Sequence, residues 1–140
     1  RKESSAASDV YKRQPGRRMS RGVCIVDDDA SVRKSLANLL RSAGFETLSF
    51  SAGHAFLASP LAGEAGCVLL DLKMPGMSGL EVQRELAQRG RRLPVICMSA
   101  HWDDGSVRAA MGLGALACLG KPFSEEVLLK VVEEALAGGQ

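Results

Sequence analysis

Residues 23–29 have the sequence Val-Cys-Ile-Val-Asp-Asp-Asp, an apolar run that stops at three carboxylates. Three later apolar runs also stop at isolated polar side chains: residues 67–70 at Asp71, residues 94–98 at Ser99, and residues 115–119 at Lys121, after Gly120. If these runs are parallel strands of one sheet, their carboxyl ends share an edge, which is where open α/β sheets bind ligands. The sequence therefore predicts a site for a divalent metal and a phosphoryl group at that edge.

The segments that follow the first run have the apolar spacing of a helix and then of a second strand. The helix is expected to end at Gly44. Its apolar face comprises Val32, Leu36, Leu39 and Leu40. Residues 46–50 are predicted to form a short strand, and residues 53–59 a small helix. Strands that alternate with helices are typical of a parallel sheet.

Helix signals also follow the other three runs. Ser78 and Glu81 have the spacing of a capping box, and that helix is expected to run to about Arg89 and stop at Gly90. A fourth helix is predicted to begin near Asp103 or Asp104, and a fifth after Ser124 as N-cap. The expected inward faces are Val107, Ala110 and Met111 in the fourth helix, and Val127, Val131 and Ala135 in the fifth. The pattern predicts five alternations of strand and helix.

The length of 140 residues is usual for a single domain. No apolar run approaches the roughly 20 residues that cross a bilayer, and no signal-peptide core is visible. We therefore expect a soluble, cytoplasmic protein with no membrane partner.

The four cysteines fall one in each predicted central strand, at positions 24, 67, 97 and 118. They lack the paired spacing of zinc or redox motifs, so we expect buried, reduced thiols that pack as small apolar groups. A cross-strand disulfide between Cys24 and Cys67 is the disfavoured alternative.

The formal net charge of +2 averages over two unlike parts of the chain. Residues 1–21 carry seven basic and two acidic side chains, whereas residues 22–140 carry 11 basic and 14 acidic ones. A basic arm of this kind suits a nucleic acid or an anionic membrane. This one has no apolar face, and its composition indicates disorder. We predict a disordered arm over residues 1–21, to which we assign no function, and one folded domain over residues 22–140.

Residues 9–14, Asp-Val-Tyr-Lys-Arg-Gln, are what one reading frame of a transposon-type sequencing adapter, GATGTGTATAAGAGACAG, would encode. Our hypothesis is that the residues up to about Gln14 are an artefact of read assembly, and that the natural start lies at Met19 or shortly upstream. A transcript from the source organism that encodes the arm would refute this hypothesis.

Four short motifs stand at the predicted strand ends: Val26-Asp27-Asp28-Asp29, Leu70-Asp71-Leu72-Lys73-Met74-Pro75-Gly76-Met77-Ser78-Gly79, Met98-Ser99-Ala100 and Gly120-Lys121-Pro122-Phe123. In order and spacing they resemble the receiver domain of two-component response regulators, over about residues 22–137. His101-Trp102-Asp103 is most similar to FixJ-type regulators. The resemblance implies an α/β fold of the flavodoxin-like, doubly wound type. Its five-stranded parallel sheet has helices on both faces and strand order 2-1-3-4-5.

The acidic residues indicate a metal site. Carboxylates that converge within a few ångströms repel one another, which raises at least one pKa and favours a divalent cation. Oxygen ligands with room for waters suit Mg²⁺. By resemblance, Mg²⁺ would be held by Asp27 and Asp28, by the acceptor Asp71 and by the backbone carbonyl of Lys73. The alternative is that Asp27 or Asp29 simply caps the first helix, and Asp29 is better explained as a cap than as a ligand.

The resemblance also implies the roles of the remaining site residues. Asp71 would be the nucleophile that forms an aspartyl phosphate, while Lys121 and the Ser99 hydroxyl stabilise the transferring oxygens. The Lys121-Pro122 peptide bond would be cis. The alternatives are that Lys121 is a solvated turn residue and that Ser99 is a strand-end hydroxyl bonded to backbone.

The chain departs from the family pattern at Cys118, where an aromatic residue usually turns inward behind the hydroxyl at position 99. A thiol has no ring to swing, so a signal would have to travel through the loop at residues 100–102 and the fourth helix. By resemblance, the partners are a sensor histidine kinase and a second copy of the chain, bound through the fourth helix, fifth strand and fifth helix. DNA is expected as a partner only through an output domain that this chain lacks.

Three functions are compatible with these residues. The leading one is a signalling receiver phosphorylated by a histidine kinase, which catalyses only its own phosphorylation and dephosphorylation. The second is a Mg²⁺-dependent phosphatase with an aspartyl intermediate. Such hydrolases generally place a second aspartate two positions after the nucleophile, where this chain has Lys73. The third is a receiver-like interaction domain that is not phosphorylated.

Overall fold

The computed structural model describes residues 19–100 and 105–138, which contain one five-stranded parallel sheet in the predicted order 2-1-3-4-5. The strands are β1 (Met19–Val26), β2 (Glu46–Phe50), β3 (Ala65–Asp71), β4 (Val95–Ser99) and β5 (Ala117–Gly120). The α-helices are α1 (Ala30–Ser42), α2 (Gly53–Ala58), α3 (Gly79–Gln88), α4 (Ser106–Gly112) and α5 (Glu125–Gly138). A short 3₁₀ helix, Leu61–Glu64, was not predicted.

The sheet separates two apolar cores, because alternate residues of a strand face opposite sides. In β3, Val68 and Leu70 pack in the core beneath α2, α3 and α4, whereas Cys67 and Leu69 pack in the core beneath α1 and α5. Helices therefore cover both faces of the sheet, which confirms the predicted doubly wound architecture. Among the described residues, no helix is both long and apolar enough to span a bilayer.

The strand boundaries follow the sequence closely. β2 spans the predicted residues, and β1 begins at Met19, four residues before the apolar run that starts at Val23. Residues 1–18 lie outside the described part of the chain, so the disordered arm stays a prediction. The expected start of the fourth helix at residues 103 or 104 also lies outside it, and the observed α4 begins at Ser106.

Two helix faces differ from those predicted. Ala110 and Ala135 are buried as expected, but Met111 is 45% exposed and Val127 is 47% exposed. The buried face of α5 is instead formed by Leu128, Val132 and Ala135. Val107 and Val131 are partly buried against the cores, so only Met111 and Val127 were wrongly placed on the inward faces. Where apolar residues are adjacent in sequence, a period of 3.6 fits more than one stripe.

Side-chain hydrogen bonds cap the N-termini of α1 and α3, the helices that follow the loops after β1 and β3. The Ser78 Oγ accepts a hydrogen bond from the Glu81 amide at 3.3 Å, and the Ser78 amide donates to Glu81 Oε1 at 2.8 Å, which confirms the capping box. Asp29 caps α1 by accepting from the amides of Ser31 and Val32. These caps hold the loops that follow β1 and β3.

The four thiols are free, as predicted. Cys24 and Cys67 cannot form the alternative disulfide, because they belong to different cores on opposite faces of the sheet. Burial raises the pKa of both thiols to about 12. Cys97 is also buried, whereas Cys118 is only half-buried.

Candidate functional site

The polar residues predicted to converge lie at the carboxyl edge of the sheet. Asp27 directly follows β1, Asp71 ends β3 and Ser99 ends β4. Lys121 follows β5, and its amide donates to the Ser99 carbonyl at 2.8 Å. Because the strands are parallel and paired in this register, side chains more than 90 residues apart in sequence meet at one edge.

Three carboxylates form the centre of the site. Oxygen atoms of Asp27, Asp28 and Asp71 all lie within 4.8 Å of one another. Asp27 is fully buried and Asp71 is 5% exposed, whereas Asp28 is exposed. The Asp27 Oδ1 accepts from the Asp29 amide at 2.9 Å, which fixes its orientation. A cluster of hard oxygen donors that is open on one side is able to bind a divalent cation such as Mg²⁺.

Lys121 supplies a positive charge to two of these carboxylates. Its Nζ lies 2.9 Å from Asp27 Oδ2 and 3.6 Å from Asp71 Oδ1. Burial lowers the pKa of Lys121, but the hydrogen bond to Asp27 and the charges of Asp71 and Asp27 outweigh it, so the net shift is upward. The side chain is therefore a paired ammonium and not a solvated turn residue, and the Lys121-Pro122 bond is cis as predicted.

The carboxyl group of Asp71 has a raised pKa. Burial and the negative charge of Asp27 raise its pKa to about 6, against the opposing effects of Lys121 and of a hydrogen bond from the Lys73 amide. The acidic cluster was predicted to raise at least one carboxyl pKa, and the raised pKa is that of Asp71, the predicted nucleophile.

Arg33 is a site residue that the sequence reasoning missed. Its Nη1 donates to the backbone carbonyl of Asp27 at 2.7 Å, which ties the start of α1 to the acidic loop. A basic residue near a helix N-terminus is unfavourable for the helix dipole, so its position near the start of α1 was an available signal of another role.

The other predicted positions have the following environments. Ser99 is buried at the end of β4, and the side chain of Lys73 is exposed. The predicted role of the Lys73 carbonyl as a metal ligand stays a prediction, as do the catalytic roles of Ser99 and Lys121. The residues His101, Trp102 and Asp103 lie outside the described part of the chain.

The raised pKa of Asp71 predicts a pH effect on stability in metal-free buffer. In the folded state Asp71 keeps its proton up to about pH 6, whereas the ordinary carboxyl pKa is 3.8. The folded state therefore binds more protons between these values, and the free energy of unfolding falls as the pH rises through this window. Asp71→Asn is expected to lack this fall and to be more stable than the parent at pH 7 by on the order of 1 kcal/mol.

Urea unfolding of both proteins in EDTA, at pH 4 and pH 7, measures this effect. The quantity to compare is the difference in free energy of unfolding between parent and variant, because the titration of all other groups cancels in that difference. A difference that is independent of pH would contradict the assignment.

Comparisons with known proteins agree with this geometry. The family profile of the response regulator receiver domain matches residues 23–133. The response regulator protein TmoT of Ectopseudomonas mendocina is 43% identical over 114 residues, which are 81% of this chain and 52% of that protein. The transcriptional regulatory protein FixJ of Azorhizobium caulinodans is 40% identical over 81% of this chain and 54% of its own length.

A solved structure shares the fold. The crystal structure titled FixJ-N superposes with a TM-score of 0.77 at 36% identity, and the match covers 84% of this chain and 94% of that one. The chain spans about half the length of the curated relatives it matches. On the strength of the profile match and these identities, the chain belongs to the response regulator receiver domain family.

Proposed function

We propose that Asp71 accepts a phosphoryl group from a sensor histidine kinase and that this reaction controls a binding surface of the domain. Phosphorylation-dependent signalling is the function of the family to which the chain belongs. The observation that carries the assignment to Asp71 is the pair of contacts made by Lys121, which lies 2.9 Å from Asp27 and 3.6 Å from Asp71. An ammonium in this place stands beside both a predicted metal ligand and the acceptor.

The residues suit an in-line phosphoryl transfer. A carboxylate oxygen of Asp71 attacks the phosphorus atom while the bond to the donor breaks, and the donor group leaves with the bonding electrons. The Lys121 ammonium and the Ser99 hydroxyl stabilise the oxygens of the transferred group. Asp27, Asp28, Asp71 and the Lys73 carbonyl would hold Mg²⁺, which, when bound, neutralises charge on those oxygens.

We further propose that the domain is not a phosphatase that turns over many substrates. The residue two positions after the acceptor is Lys73, whose amide donates to Asp71 Oδ1 at 3.3 Å. Position 73 thus orients the acceptor and supplies no second carboxylate for general acid or base catalysis.

The output is proposed by analogy with the relatives. One relative is named a transcriptional regulatory protein, so DNA binding through a separate output domain is our proposal for the full-length protein. We also propose a homodimer through α4, β5 and α5. Exposed apolar side chains at Met111 and Leu113 in or next to α4, at Leu116 before β5 and at Val127 on α5 support such a contact.

Phosphorylation is tested by incubating the protein with acetyl phosphate and Mg²⁺ and following its intact mass. We expect a gain of one phosphoryl group per chain, and no gain when EDTA removes the metal. Release of many phosphate equivalents per chain would favour the phosphatase. Absence of any mass gain with Mg²⁺ would favour a receiver-like domain that is not phosphorylated.

A further inference from the structure

Gln83 on α3 is a buried polar residue that the proposed chemistry does not use. Among the described residues, four polar or charged side chains are buried, and the other three are Asp27, Asp71 and Ser99 of the acidic site. Gln83 is 4% exposed. A buried amide group is costly unless it is hydrogen-bonded, so its partners indicate what it holds in place.

The Gln83 amide joins α3 to α4 and to β4. Its Nε2 donates to the Ala110 carbonyl of α4 at 3.1 Å, and its Oε1 lies 3.8 Å from the Cys97 Sγ of β4, a weak thiol donor. α4 has only seven residues, so Ala110 lies in its last turn, and its carbonyl also accepts from the amides of Leu113 at 3.2 Å and Ala115 at 3.1 Å. Gln83 therefore adds a third donor to this carbonyl and ties the last turn of α4 to α3.

The contact with β4 leads toward the acidic site. Cys97 lies two residues before Ser99, and alternate residues of a strand face the same side of the sheet. Gln83 thus contacts the strand on the side toward which the Ser99 side chain is directed. Gln83 and Ser99 are therefore linked through two residues of one strand.

The neighbouring position on β5 makes a weaker link to α4. Cys118 pairs with Cys97 in the β4–β5 ladder, and its Sγ lies 4.0 Å from the Val107 carbonyl of α4. This is the position at which the family usually has an aromatic side chain. Of the polar contacts that α4 makes to Gln83 and Cys118, the one from Gln83 is shorter and has the stronger donor.

We propose that Gln83 is the positioning residue that holds α4 in place and couples it to Ser99, in the role that an aromatic residue on the fifth strand has elsewhere in the family. The inference rests on the proposed phosphorylation of Asp71. When the end of β4 moves toward the phosphoryl group, Cys97 shifts and the hydrogen bond from Gln83 to the Ala110 carbonyl weakens. The equilibrium then favours a displaced α4, because the two states differ in their contacts with the phosphoryl group.

Hydrogen exchange followed by mass spectrometry tests this coupling on the full chain, with and without acetyl phosphate and Mg²⁺. The variant is Gln83→Leu, and the matched control is Gln88→Leu, the same change at an exposed position of the same helix. In the parent and the control, phosphorylation is expected to speed exchange of the α4 amides. In Gln83→Leu, before phosphorylation, these amides are expected to exchange about fivefold faster than in the parent. Phosphorylation is then expected to change their exchange rate little.

Three further readouts keep the result interpretable. Intact mass is expected to show the same phosphoryl uptake in all three proteins. Exchange in α2 and α5 is expected to match the parent, whereas a general loss of stability would speed exchange in every element. If thermal unfolding shows that Gln83→Leu does not fold, Gln83→Met keeps the length of the side chain and takes its place.

Identical α4 exchange in Gln83→Leu and the parent, in both states, would overturn the inference while leaving the proposed function intact. Failure of the parent to take up a phosphoryl group would overturn the proposed function and the coupling together. The comparison of unphosphorylated proteins would still decide whether Gln83 holds the last turn of α4 in place.

Discussion

The Asp71→Asn variant is expected to take up no phosphoryl group from acetyl phosphate, whereas the parent gains one per chain. An amide lacks the anionic oxygen that attacks phosphorus, and the other buried carboxylate, Asp27, is held by Lys121 and by the Asp29 amide. Intact mass measured over time, at a fixed concentration of Mg²⁺, gives the result directly.

Asp29→Asn is the matched control for this experiment. Asp29 belongs to the same acidic run, but its carboxylate caps α1 through the Ser31 and Val32 amides. Asparagine is as good an N-cap as aspartate, so α1 and the loop are retained. The control is expected to gain mass at a rate close to that of the parent. A mass gain in Asp71→Asn equal to that of the parent would exclude Asp71 as the acceptor.

Gly79→Ala is expected to lower the free energy of unfolding by about 3 kcal/mol. Gly79 is the first residue of α3, and a Cβ there would lie 2.5 Å from the Asp71 carbonyl oxygen and 2.8 Å from the Leu72 Cα. Both are backbone atoms of the segment that ends β3, so neither can move aside as a flexible side chain would. The start of α3 must therefore shift away from β3, which also displaces Asp71.

Urea unfolding followed by circular dichroism measures the effect of Gly79→Ala on stability, with Gly112→Ala as control. Gly112 ends α4, and a Cβ there meets no atom within 4 Å. Alanine has a better helix propensity than glycine, so the control is expected to leave stability unchanged or to raise it slightly. Equal midpoints for the parent and Gly79→Ala would show that the contact between α3 and β3 is looser than described.

The features that the sequence predicted well are those that depend on near neighbours. The capping box at Ser78 and Glu81 needs only residues three apart, and the end of β3 at Asp71 needs only the change from apolar to polar. The predicted strand order had a different source, since it followed from the resemblance to a family. We inferred the strand order from motifs that match the family in order and spacing, and the observed pairing of the strands confirms that order.

The features that the sequence did not predict depend on contacts between distant residues. The link from Gln83 to Ala110 spans 27 positions. Helical spacing with Val82 and Leu86 places Gln83 on the buried face of α3, but no local pattern indicates which group it contacts there. Likewise, the sequence predicted Val127 on the buried stripe of α5, although the adjacent Leu128 fits a helical period equally well. Packing against the sheet decided in favour of Leu128, which is fully buried.

By itself, the sequence determined which residues end the strands and where the helices capped by Asp29, Ser78 and Ser124 begin. These outcomes follow from side-chain period and capping, which act within one or two turns of chain. Only the tertiary structure decided how far Lys121 lies from Asp27 and Asp71, and how strongly burial raises the pKa of the Asp71 carboxyl. It also decided which backbone carbonyls accept hydrogen bonds from Arg33 and Gln83. The physical reason is that distances, desolvation and hydrogen bonds between separate elements exist only once the sheet has brought those elements together.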